Sequence, residues 1–195
     1  VGGVLHRFGA FALQPDLAWG AFPIANDARG GYWRMEMQRA RWSWHAGLDR
    51  VAAYTDAGFD GWYGTGGVRY QVSSRVALGG TGSFRDGGDG QAVALQAYAD
   101  VRTRLGDTRY QVDGARDPDG ADSWHVLVDH ALSLREGWRL SVSAGLGEQV
   151  QGDARLARTA TLAAYGGADI GDRFAVDGTV RWSSVGGSGD TLDLN

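Results

Sequence analysis

Four histidines, His6, His45, His125 and His130, are the side chains of this sequence best suited to moving protons near neutral pH. Two of them close a repeated tripeptide, Ser43-Trp44-His45 and Ser123-Trp124-His125, and an aspartate follows each four positions on, at Asp49 and Asp129. Serine, histidine and aspartate together suggest a hydrolase mounted on a strand. A nucleophile and its base must lie within hydrogen-bond reach, yet residues two apart on one face of a strand stand roughly 6.5–7 Å apart. The spacing that puts Ser43 with His45, and Ser123 with His125, on one face therefore keeps them from acting together. Polar wall filling beside a tryptophan is the favoured reading.

The other chemistry-bearing patterns are weaker. Two acidic stretches, 85–91 with Asp86 and Asp89 and 116–122 with Asp117, Asp119 and Asp122, offer carboxylates to a cation. Asp117-Pro-Asp-Gly-Ala-Asp122 begins like a calcium loop but lacks its roughly twelve-residue spacing and closing glutamate, so a solvated turn is expected. Gly64-Thr-Gly-Gly67 and Gly79-Gly-Thr-Gly82 resemble phosphate cradles, but neither a lysine nor a helix follows. Glycine inside a strand instead admits a bend or the close approach of a neighbouring backbone. The absence of cysteine excludes thiolate ligands, a cysteine nucleophile and a disulfide framework. No metal and no cofactor are expected. The net charge is -4 and the arginines are scattered, which disfavours nucleic acid.

Charge recurs on alternate positions, often with both signs on one strand. Arg34 is followed by Glu36, Asp100 by Arg102, and Arg109 by Asp113. The same alternation places His45, Asp49, Arg69, Gln71, His125, Asp129, Arg139, Asp177 and Arg181 opposite apolar neighbours. A polar channel wall or polymer track, whose charges set selectivity, and a mutually ion-paired filling of a narrow closed lumen account for this equally well. These residues, with the pairs above, are the expected lumen lining.

Period-two patterning reads as strand. In 32–38, Trp33, Met35 and Met37 oppose Tyr32, Arg34, Glu36 and Gln38; 42–49, 93–104, 124–135, 138–147 and 173–183 repeat the scheme. About twelve such segments are visible, most about 8–13 residues long, where a strand tilted across a bilayer needs about 9–11. No capped helical stripe interrupts them. Seven tryptophans on the apolar faces, Trp33, Trp42, Trp44, Trp62, Trp124, Trp138 and Trp182, are expected near strand ends, as a membrane-interface girdle. Ala, Val and Leu fill the middle of those faces. A soluble sandwich also alternates, but it would have shorter strands and more edge proline than the 3 prolines present.

Connections fall into two alternating classes. Gln14-Pro15-Asp16, 39–41, Ser73-Ser74, 105–107, Glu136-Gly137 and Gly171-Asp172 are tight; 25–31, 55–61, 85–91, 116–122 and 150–154 are longer and rich in Asp and Gly. Outer-membrane barrels pair short periplasmic turns with longer outside loops. With that assignment the first strand starts outside and the last, near Trp182, ends outside. An open edge in lipid is prohibitive, so a strand missing or unpaired at each end, supplied by a larger barrel or another chain, is expected. No export signal precedes Val1, so the 195 residues are expected to be processed or truncated.

Tyr32-Trp-Arg-Met-Glu-Met-Gln38, Leu105-Gly-Asp-Thr-Arg-Tyr-Gln-Val112 and Gly171-Asp-Arg-Phe-Ala-Val-Asp-Gly-Thr-Val-Arg-Trp182 resemble segments of proteobacterial outer-membrane β-barrels. A looser likeness is to the barrel domains of exopolysaccharide-secretion proteins. The resemblance implies an all-β, antiparallel up-and-down transmembrane barrel over 1–195, whole or part of a larger one. It further implies a bacterial outer-membrane location and a lipid bilayer as partner. The expected function is a non-enzymatic polar channel for passive transport of a small solute or export of a polysaccharide. A structural or adhesive anchor pairing with a partner chain ranks second, and a wall-mounted hydrolase third.

Overall fold

A computed structural model describes residues 3–13, 28–53, 60–88, 90–134, 136–151, 155–170, 174–186 and 189–194. Twelve strands form among them, and no helix: β1 (Val4–Leu13), β2 (Ala28–Gln38), β3 (Trp42–Ala52), β4 (Gly61–Gln71), β5 (Val76–Gly87), β6 (Gly90–Arg102), β7 (Gly106–Arg116), β8 (Asp122–Leu132), β9 (Trp138–Gln151), β10 (Arg155–Ile170), β11 (Phe174–Val185) and β12 (Gly189–Leu194). The strand order is sequential from β1 to β12, so β1 and β12 are the ends of the order. The fold is an all-β, antiparallel, up-and-down sheet. The alternating β-branched and aromatic residues suit a pleated surface with two unlike faces, and most strands exceed the usual soluble length of about 5–6 residues.

Contacts group the chain into two units. The first holds Val1–Tyr70, Gly80–Leu95 and Arg116–Gly120; the second holds Gln71–Gly79, Gln96–Ala115 and Ala121–Asn195. In the first, β2 pairs with β1 and β3 (Arg34↔Arg7, Arg34↔Gly47), and β3 with β4 (Gly47↔Thr65). In the second, β9 pairs with β8 and β10 (Ser143↔Asp129, Ser143↔Ala163), and β11 with β10 and β12 (Arg181↔Ala163, Arg181↔Asp193).

Turn chemistry sets these registers. Arg39 N–H bonds the Trp42 carbonyl at 2.7 Å, closing β2 onto β3. Thr103 N–H bonds the Gly106 carbonyl at 2.8 Å, and Gly106 itself takes φ 147°, where a side chain would run into the Ala131 carbonyl. Asp117-Pro-Asp-Gly120 is a turn, as expected: Gly120 N–H meets the Asp117 carbonyl at 2.9 Å, with Gly120 at φ 80°.

Two expectations about connections change. β1 begins beside Met37 (Val4↔Met37) and ends beside Ala28 (Leu13↔Ala28), so it starts at the end carrying the 39–41 turn. The sequence placed the first strand's start at the opposite end, because a tight turn was expected at 14–16, which lies outside the described residues. Likewise β12 starts opposite Val185 and runs back along β11 to Val180, so the last strand is not the one holding Trp182. The argument from strand direction for a missing strand at each end therefore falls. The loop-length asymmetry also shrinks. β5 and β6 extend through 85–87 and 90–91, and β9 and β10 leave only 152–154 between them. Ladder hydrogen bonds recruit acidic and glycine residues that composition alone assigns to loops. Of the 116–122 loop, 117–121 stays outside the strands.

Scarcely any core exists among the described residues. The buried hydrophobic residues among those described are Ala77, 2% exposed, and Ala157, 6% exposed. Large apolar side chains such as Phe8, Leu95, Leu146, Leu162 and Val176 stand open. A soluble sandwich would bury one face of each strand against a second sheet.

Candidate functional site

Residues directly opposite in a ladder share a face, and alternate residues along a strand share it too. In the first unit, register therefore puts Arg7, Tyr32, Arg34, Glu36, Ser43, His45, Asp49, Tyr63, Thr65 and Arg69 on one face. The other face holds Phe8, Trp33, Met35, Met37, Trp42, Trp44, Leu48, Trp62, Val68 and Tyr70. The second unit repeats the division. His125, Asp129, Arg139, Ser141, Ser143, Thr161, Asp169, Asp177 and Arg181 share one face, and Trp124, Val126, Trp138, Leu140, Leu146, Leu162, Val180 and Trp182 the other. Gln96 and Gln111 donate to Asp113, which stands 3.8 Å from His125 on that face, and Arg109, which shares the β7 face of Gln111 and Asp113, bonds Asp100.

The polar faces are laced with ion pairs. Arg34 grips both carboxylate oxygens of Asp49, with Nη2 at 2.7 Å from Oδ2, and its guanidinium lies 5.5 Å from the centre of the Tyr32 ring. Arg109 does the same to Asp100, at 2.7 and 3.2 Å, and lies 4.8 Å from the Tyr98 ring. Arg139 meets Asp169 at 2.9 Å, and Arg7 meets Glu36 at 3.5 Å. Forked contacts of this kind add geometric specificity to charge. Each is partly solvated, so its contribution to stability is small.

Several of the expected wall residues are engaged within the sheet. Gln71 donates to the Ser73 carbonyl at 2.6 Å and so braces the turn after β4. Arg102 reaches Asp107 at 2.9 Å across its own hairpin. Arg69 stands opposite Ser43, Arg181 opposite Asp193, Asp177 opposite Gly167 and Asp129 opposite Ser143.

The serine–histidine motifs do not assemble a triad. His125 Nδ1 lies 3.8 Å from Asp113 on β7, not against Asp129, and Ser123 Oγ reaches the Ala115 carbonyl at 3.5 Å. His45 stands opposite Glu36, while Asp49 is held by Arg34. Both imidazoles lie over glycines, His45 over Gly67 and His125 over Gly145. Aromatic rings do likewise: Tyr32 fills the place of a side chain at Gly9, Phe84 at Gly64 and Tyr98 at Gly79. At these strand glycines the nearest neighbour is a ring, and not the backbone that the sequence suggested. No cluster of three His, Cys, Asp or Glu side chains suited to a metal ion forms among the described residues.

The tryptophans occupy the apolar faces at varied heights. Trp42 and Trp138 open β3 and β9, Trp62 is second in β4 and Trp124 third in β8, whereas Trp33 is mid-strand in β2. Their indole N–H groups find acceptors, Trp33 on His6 at 3.3 Å, Trp44 on Met37 sulfur at 3.0 Å and Trp124 on Glu148 at 3.1 Å. Trp42 packs on Tyr70 with ring centres 4.3 Å apart.

Sequence reasoning missed charges on these apolar faces. In the first unit Arg29 and Arg50 sit on the tryptophan face at the ends of β2 and β3 away from the 39–41 turn. In the second, Asp122, Glu148 and Arg158 sit on it at the ends of β8, β9 and β10 away from 133–137. Among the described residues, no Asp, Glu or Arg stands on this face at the opposite ends of those strands. The signal was the break in alternation, where a charge follows the apolar parity only in the last turn-proximal positions.

The fold and its faces thus define an all-β up-and-down sheet with one ion-paired polar face and one uncovered apolar face in each unit. A solved structure titled "Bacterial polysaccharide outer membrane secretin" shares this fold at a TM-score of 0.51 and 14% identity, over 98% of this chain and 77% of that one. At that identity the likeness speaks for the fold. No protein-family model matches the chain. No curated protein matches it in sequence.

Proposed function

We propose that this chain forms wall of a bacterial outer-membrane β-barrel whose polar face lines a channel for passive solute passage or polymer export. The observation that carries this is the division of faces without a core. Each unit turns a band of Val, Leu, Phe and Trp outward with nothing covering it, while arginines and aspartates converge on the other face. Contact with lipid makes such a surface favourable, at about 25 cal/mol per Å² of apolar area removed from water. The likeness in fold to a polysaccharide outer-membrane secretin supports polymer export over small-solute passage. The lumen set comprises Arg34, Glu36, His45, Asp49, Arg69, Asp100, Arg109, Asp113, His125, Asp129, Arg139, Asp177 and Arg181, with the tryptophan face against lipid.

Reconstitution of the intact protein in planar bilayers tests the channel. Discrete conductance steps are expected, and a protein that inserts without conducting would overturn the pore reading. An anchoring role is the second reading, favoured by the position of β1 and β12 at the ends of the strand order. A partner strand cross-linked to β1 in membranes would support it.

A further inference from the structure

We propose that Trp124, Glu148 and Arg158 form a binding site for the phosphate of a membrane-lipid headgroup. The inference rests on the membrane reading above and adds to it a specific lipid contact. The three residues stand on the apolar face of the second unit, where charge is otherwise unfavourable in contact with lipid. They border a groove of about 460 Å³ completed by Leu146, Ala160 and Ser184.

Within this group the hydrogen bonds leave one set of donors over. Glu148 is occupied on both oxygens: Oε2 accepts from Trp124 Nε1 at 3.1 Å and Oε1 from Arg158 Nε at 3.3 Å. That second bond uses the inner nitrogen of the guanidinium. The two terminal nitrogens meet no acceptor among the described residues, and the Arg158 side chain is 88% exposed. Arg50, on the apolar face of the first unit, differs. Arg50 is closed by Asp60, by the Val51 carbonyl and by the Gly61 carbonyl, and lies 5.8 Å from the Trp62 ring. Arg158 is thus held by one edge and open at the fork, the geometry that takes two oxygens of a phosphate. An acyl chain continuing from that phosphate would lie on Leu146 and Leu162, which are 62% and 55% exposed on the same face. Trp124 occupies the boundary between headgroup and chain, where indole is favoured.

The test compares the protein with Arg158→Gln and, as a control in the 103–105 turn, Arg104→Gln. Each is folded into phosphatidylcholine vesicles, insertion is verified, and the protein is extracted into a phosphate-free detergent. Retained lipid is then counted by native mass spectrometry as phosphatidylglycerol is titrated. About tenfold weaker retention is expected for Arg158→Gln, corresponding to loss of one strong charge-assisted contact, with Arg104→Gln unchanged. If Arg158→Gln inserts and retains phosphatidylglycerol like the parent, the site is wrong. Equal competition by inorganic phosphate alone would show a free-anion site and overturn the lipid assignment. Failure of the parent itself to insert would instead overturn the membrane reading.

Discussion

The guanidinium of Arg34 spans from β2 to β3 to hold both carboxylate oxygens of Asp49, two positions along β3 from its own register partner Gly47. The absence of a side chain at Gly47 opens the space: a Cβ there would stand 2.9 Å from Arg34 Cδ. The ion pair is a diagonal cross-strand contact that crosses over a glycine; the second forked pair, Arg109 with Asp100, joins β7 to β6.

Replacing Asp49 by Asn should lower stability by about 1 kcal/mol, since the pair is forked but partly solvated. A double-mutant cycle with Arg34→Gln, read from urea unfolding out of vesicles, should show coupling of similar size. Additive effects would mean that the two side chains do not interact.

Substituting valine at Gly79 should destabilise by about 1–3 kcal/mol, the usual cost of overpacking, because the Tyr98 ring already occupies the space. Tyr98→Ala in the same chain should recover most of the loss. Gly79→Val alone without effect on unfolding would contradict the ring-on-glycine packing.

Alanine at Gly106 should cost about 1–3 kcal/mol, for two reasons that add. The residue holds φ 147°, a backbone conformation that L side chains rarely adopt, and a side chain would press on the Ala131 carbonyl. Slowed folding with a displaced β7–β8 register by hydrogen exchange is the expected signature.

Trp138, 61% exposed on the apolar face, should be quenched by brominated acyl chains in a variant keeping it as the sole tryptophan. Strong quenching by aqueous acrylamide in place of bromolipid would place that face in water.

Any ester hydrolysis by the purified protein should survive Ser43→Ala and Ser123→Ala together. Ser123 bonds a backbone carbonyl and His125 lies beside Asp113, while Ser43 and His45 are two positions apart along β3, roughly 6.5–7 Å, beyond the reach a nucleophile and base need.

What the sequence determined by itself was the alternation, and with it the strands and both faces. The period of two is a local property of the backbone, so Arg34 and Glu36 must share a side wherever the strand lies. It could not determine partners across strands. That His125 meets Asp113 instead of Asp129, that Gln71 turns to its own hairpin, and that tyrosines cover glycines follow from register, which depends on residues far apart in sequence. Nor could it locate strand ends, because 85–87 and 90–91 look like loop until ladder hydrogen bonds make them strand. The charges gathered at one end of the apolar faces belong to the same class. Arg158 and Glu148 look like ordinary solvated residues in sequence, and only the β9–β10 ladder brings them together with Trp124 on a face that is otherwise apolar.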